Sequence, residues 1–259
     1  MRMMKKVLGT VTVLALSVSL LAGCGSTAAS PVSSVASTAA ESTTSSVVSE
    51  TTSAAADENA AAAAQLLNDL TGSYQELWPV ILADEYQQTW LDDCTALVGE
   101  ENAEAAFEKL SSMVTGDVYG EDAVEAYANG GGAYFCGFTN SLATLTFDGE
   151  TSTISGTDKD GNVLFSHTYH YIGMEPVHGL YEFESDDADS GEFTYFFLAP
   201  DTSAETYHIE FRYGSDAEAL SQYDAGEYAY WVASGISTDC DQTMIDNCIE
   251  LFCTENLAG

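Results

Sequence analysis

The sequence predicts an α+β, mainly β protein: a small antiparallel β-barrel with helices ahead of it and one helix behind it. Three observations predict this. Between Gly132 and Tyr213, aromatic and β-branched residues recur in short runs with a period of two, separated by turn residues. Between Ala60 and Met113 the apolar period is that of helices instead. From Asp239 to Cys253 the helical period returns, with Cys240, Met244, Cys248 and Phe252 on one face.

Taken in order, residues 1–23 read as a lipoprotein signal peptide. Arg2, Lys5 and Lys6 precede an apolar run from Val7 to Leu21, and Leu21-Ala22-Gly23 leads to Cys24, the residue a lipid would modify. The run is about 15 residues, short for a membrane-spanning helix. Residues 24–57 are mostly Ser, Thr, Ala and Val, with one proline and no apolar face. Such a stretch cannot bury enough surface to fold, and as a coiled tether it reaches roughly 30 Å. The folded domain is expected over 58–259.

Within it, Ala60–Leu70 is apolar-periodic and ends at Thr71-Gly72. Ser73 and Glu76 have capping-box spacing, which predicts a second helix, broken near Trp78 by Pro79. Gln87–Val98 and Ala103–Met113 read as two more helices. The strand segments are Gly132–Phe138, Leu142–Phe147, Thr151–Ser155, Val163–Ile172, Val177–Glu184, Glu192–Leu198 and Thr206–Tyr213. Turn residues such as Asp148-Gly149 and Lys159-Asp160-Gly161 join them. Six or seven consecutive strands with short loops make a meander, which closes most simply into a barrel. Ser215 and Glu218 are again spaced as a capping box, so the last strand runs into a helix at Gly214.

Charge narrows the function classes. The chain carries 6 basic and 41 acidic residues. Removing the signal takes away Arg2, Lys5 and Lys6, which leaves 3 − 41 = −38. Nucleic acid and anionic membrane would both be repelled, so the only membrane contact expected is the lipid on Cys24. The long Ser/Thr tether suits a thick wall, which points to a Gram-positive surface. Cys94, Cys136, Cys240, Cys248 and Cys253 remain besides Cys24. An odd number outside the cell leaves at least one free thiol, and no CxxC spacing supports a cysteine zinc site.

No nucleophile elbow, phosphate-binding glycine loop or calcium loop occurs, so no enzyme activity is expected. Metal binding is left. In Thr206–Tyr213, His208 and Glu210 point the same way and can close on one ion. Pairing the last three strands as hairpins about residues 188 and 202 would bring His178 and Glu182 to the same side as His208 and Glu210. That register also sets Phe196 opposite His208. A polar strand face in water is the plain alternative for all four.

The stretch Thr206–Leu220 resembles the segment of the ZinT/AdcA family of extracytoplasmic zinc-binding proteins that reads His-aromatic-His, two or three apolar residues, Gly-Asn-Asp/Glu-Ser, then a short helix. Leu67, Leu70, Gly72, Tyr74, Gln75 and Pro79 are similar to the start of that family's domain. The resemblance implies a calycin/lipocalin-like barrel that captures zinc and serves a metal ABC transporter. It places His208 on the first His of the pair, Glu210 on the second and, counted from Ala199-Pro200, Phe196 on the third family histidine. Zinc accepts an oxygen in place of a nitrogen, but not a phenyl ring. The other reading is a metal-free barrel that binds a small apolar or peptide ligand, or a partner protein.

Overall fold

The computed structural model describes residues 58–200 and 208–258. The expected signal peptide, the lipidation at Cys24 and the tether lie outside these residues. Eight antiparallel strands close into an up-and-down barrel in chain order. They are β1 (Gly72–Glu76), β2 (Thr144–Asp148), β3 (Thr153–Thr157), β4 (Val163–Met174), β5 (Tyr181–Ser185), β6 (Tyr195–Leu198), β7 (His208–Gly214) and β8 (Ala233–Ser237). The ring closes through β1 and β8, with Gln75 opposite Ile236.

Both closing strands depart from the sequence reading. Ser73 and Glu76 do not cap a helix: they belong to β1, and Ser73 pairs with Thr146 on β2. Helix α2 (Leu77–Ile81) starts only afterwards, so Pro79 sits in its first turn and costs no intrahelical hydrogen bond. The expected strand Gly132–Phe138 makes only isolated bridges from Phe135, to Thr115 and Trp231. The eighth position is taken by β8, whose Ala-Ser-Gly-Ile-Ser sequence has too few large residues to display an alternating pattern.

One core fills the barrel. Phe147, Phe165, Phe183, Phe196, Phe211 and Tyr213 are buried inside it. Helix α1 (58–69) adds Ala63, Leu66 and Leu67, with Leu70 just beyond its last turn, a spacing that presents one face to this core. Gly149 permits the approach: a Cβ there would stand 2.4 Å from the Asn68 backbone.

A second core lies between the outer barrel wall and a helical layer. It contains α2, α3 (Gln87–Val98), α4 (Glu100–Val114) and the C-terminal α7 (Gln242–Leu257). Trp90, Cys94, Leu110, Ile249 and Cys253 are its centre, and Ile236 joins it from β8. Helix α7 is capped by Asp241, whose side chain accepts from the Met244 amide. It buries Ile245, Cys248, Ile249 and Cys253 rather than the expected Cys240–Met244–Cys248–Phe252 face, which is rotated by about one residue. Helix α5 (Glu121–Ala128) follows α4 in the chain, and the short α6 (Ala217–Leu220) follows β7. Asp216, not Ser215, caps α6, accepting from the amides of Glu218 and Ala219.

Among the described residues no helix is long and apolar enough to cross a membrane.

Candidate functional site

Strand β7 has protein on both sides. Ile209, Phe211 and Tyr213 point into the barrel, so strand alternation sends His208, Glu210 and Arg212 to the outer wall. The pairings with β8 set His208 beside Ile236 and Glu210 beside Ser234. Because Ile236 belongs to the second core, the His208–Glu210 pair stands at the seam between wall and helices.

The electrostatics of the pair follow from that position. His208 keeps some exposure as a residue, but desolvation of its ring pushes its pKa from 6.5 down to about 4. The imidazole is therefore neutral at neutral pH, the form that donates a lone pair to a metal. The Glu210 charge acts on two thiols of the second core. Burial first and the Glu210 charge second push Cys248 on α7 up to about 12. The same two causes raise Cys136.

His178 and Glu182 face the same outer wall but belong to a different cluster. The observed register pairs Glu182 with Phe197 and Phe197 with Arg212. Both hairpins differ from the expected register by an odd number of residues. The two shifts cancel between β5 and β7, so Glu182 and His208 still share a face, while β6 is turned over. Phe196 consequently points inward, fully buried and stacked with Tyr213 at 5.4 Å, and does not sit opposite His208. A one-residue slip reverses a strand's faces, and hydrophobic burial of Phe196 fixes which face wins.

At the centre of this second cluster is Arg212, fully buried. Its guanidinium donates to the carbonyls of Leu220 and Tyr228, and to that of Gln222 at 3.2 Å. It also lies 4.2 Å from the centre of the Tyr223 ring. The His178 ring packs on Tyr223 at 3.8 Å, and its Nδ1 is 3.8 Å from the buried Glu175 carboxylate. Glu175 accepts from the amides of Val177 and His178 at 2.9 and 2.6 Å, so it ties the β4–β5 turn. Desolvation lowers the His178 pKa against the pull of Glu175; burial raises that of Glu182, and the Glu175 charge adds to it. Sequence reasoning missed Arg212 and Glu175. An arginine alternating with aromatics in a strand was the available signal, since a lone cation there must find partners.

The two remaining histidines are engaged elsewhere. His167 Nδ1 is 2.7 Å from Asp187, and His170 Nδ1 is 2.7 Å from Asp186. Among the described residues, no three His, Cys, Asp or Glu side chains converge so as to hold an ion. The barrel interior is filled by its own buried aromatics. A cleft of about 330 Å³ lies outside it, lined by Glu76, Trp78, Val114, Phe135 and Cys136.

No family model matches the chain, and no curated protein does. Among solved structures it is similar to the Zn(II)-bound ZinT-like domain of Streptococcus pneumoniae AdcA, at 16% identity and a TM-score of 0.45, over 71% of this chain and 89% of that one. It is also similar to Zn(II)-bound AdcA from the same organism, at 14% identity and a TM-score of 0.43, over 72% of this chain and 35% of that one.

Proposed function

We propose that this protein is an extracytoplasmic lipoprotein, anchored through Cys24, that binds zinc or a similar divalent cation as cargo and assists its uptake, with a metal ABC transporter as recipient. The donors are His208 and Glu210. The observation that carries this reading is their placement: a desolvated, neutral imidazole and a carboxylate two residues apart on one face of β7, at a seam between two cores. That donor set suits zinc, which takes nitrogen and oxygen together. With two protein donors, water completes the shell, so the ion is held more loosely than in a closed structural site and can be handed on. His178 and Glu182 are not assigned to it, because they are engaged around Glu175 and Arg212.

A second reading rests on Phe196 and on the missing third donor. The barrel core has taken the residue that the ZinT/AdcA resemblance would make a ligand, and the described residues hold no three-donor cluster. On that reading the protein is metal-free and uses the cleft beside Trp78 and Phe135 for a peptide or partner. Equilibrium dialysis against zinc, with metal analysis of the retained protein, separates the two. Saturable retention near one ion per chain supports the first reading. Retention no greater than that of a Glu210→Gln, His208→Ala double variant supports the second.

A further inference from the structure

Five cysteines fall among the described residues, and they are not equivalent. Cys94 on α3 and Cys253 on α7 lie with their sulfurs 3.9 Å apart, both wholly buried in the second core. They come from helices far apart in sequence that pack side by side, 159 positions separating the two residues. A disulfide has its sulfurs at about 2.05 Å, so side-chain rotation within contact range is what joining them requires. Cys248 is buried within α7, whereas Cys240 lies ahead of its N-cap Asp241 and is only partly buried.

We infer that Cys94 and Cys253 form a disulfide that staples α7 to α3, and that its redox state is fixed while the helical layer is assembling. The location follows from the thiol contact. The timing follows from burial. Desolvation raises the pKa of both thiols, so neither is a thiolate in the folded protein, and neither has surface for an oxidant to reach. Exchange must therefore occur before α7 docks, or when it opens. The inference leans on the extracytoplasmic reading only for the compartment in which oxidant is supplied, not for the chemistry.

The oxidant class is a disulfide, either of a thiol–disulfide oxidoreductase or of glutathione. One cysteine thiolate attacks the oxidant's sulfur and releases one thiol. The second cysteine then attacks the mixed disulfide and releases the other. The protein dithiol loses two electrons and two protons, and the oxidant is reduced to two thiols.

The test is oxidative refolding of the full chain from urea in reduced and oxidised glutathione, followed by acid quench, alkylation and peptide mass mapping. The expected result is a Cys94 peptide joined to a Cys253 peptide, with Cys136, Cys240 and Cys248 alkylated. The oxidised form should melt roughly 10 °C above the reduced one, given the long loop closed and the chain's size. Native, reduced protein given the same buffer should cross-link much more slowly, and faster in sub-denaturing urea. Cys94→Ala and Cys253→Ala should each lose this cross-link while still folding by circular dichroism. Alkylation of both residues after refolding, or a dominant pair involving Cys136 or Cys248, overturns the inference. Zinc retention is read separately, so loss of one result does not decide the other.

Discussion

Acid should unfold this protein partly through one histidine, and the size of the effect follows from where its ring lies. In an unfolded chain His208 takes up a proton near its ordinary pKa of 6.5, whereas desolvation in the folded protein holds it back to about 4. Between those values the unfolded state carries more protons than the native one. Stability is therefore full above the upper value and falls as pH drops through the window. A difference of about 2.5 pH units corresponds to about 3 kcal/mol at 25 °C. The variant to compare is His208→Gln, which keeps a polar side chain and cannot titrate. Urea unfolding of both proteins at pH 7, 6, 5 and 4 isolates the effect. His178 and Glu182, whose pKa values are also shifted, are present in both and drop out of the difference. The native protein should lose about 3 kcal/mol more than the variant between pH 7 and 4. Parallel curves, within about 0.5 kcal/mol, would mean that the ring is hydrated and would refute the placement of His208 at a dry seam.

Further outcomes follow from the same structure. Replacing Arg212 by Met should cost about 3–5 kcal/mol, since it strands the Leu220, Gln222 and Tyr228 carbonyls and leaves buried Glu175 without a nearby cation. Denaturant melts and proteolysis within 215–230 would detect it, and a loss under about 1 kcal/mol would count against a structural role. Gly149→Ala should destabilise by about 1–3 kcal/mol by pushing α1 off the β2–β3 turn, because the new methyl meets backbone rather than a side chain that could move. Hydrogen exchange should show α1 opening first. Tyr213→Phe should cost about 1–2 kcal/mol in a thermal or urea melt, since its hydroxyl is the partner of the Thr139 amide at 2.6 Å.

The barrel was legible because strands β2, β5 and β7 alternate large apolar and polar residues, and packing inside a closed sheet demands that pattern. Helices α3 and α4 were legible from their period for the same reason. What escaped was set by tertiary context. Ser73–Glu76 carries a local helix-start signal, but pairing with both β2 and β8 outweighs one cap. β8 is small-residue sequence buried on both faces, so no period marks it. The site fared likewise. The shared face of His208 and Glu210 is a property of any strand and could be read directly. Whether His178 and Glu182 would join them depended on Glu175 and Arg212, buried charges whose partners come from the 220–228 segment and the β4–β5 turn. Nothing local in the sequence encodes that meeting.

Isothermal titration of zinc into the protein, alongside His208→Ala, most directly tests the claim that this imidazole and Glu210 hold a divalent ion. The account predicts saturable heat near one ion per chain at pH 7, retained at pH 5 and fading near pH 4 as the ring protonates. In the variant the heat should vanish. No saturable heat from the native protein, or an isotherm unchanged by the substitution, would contradict it.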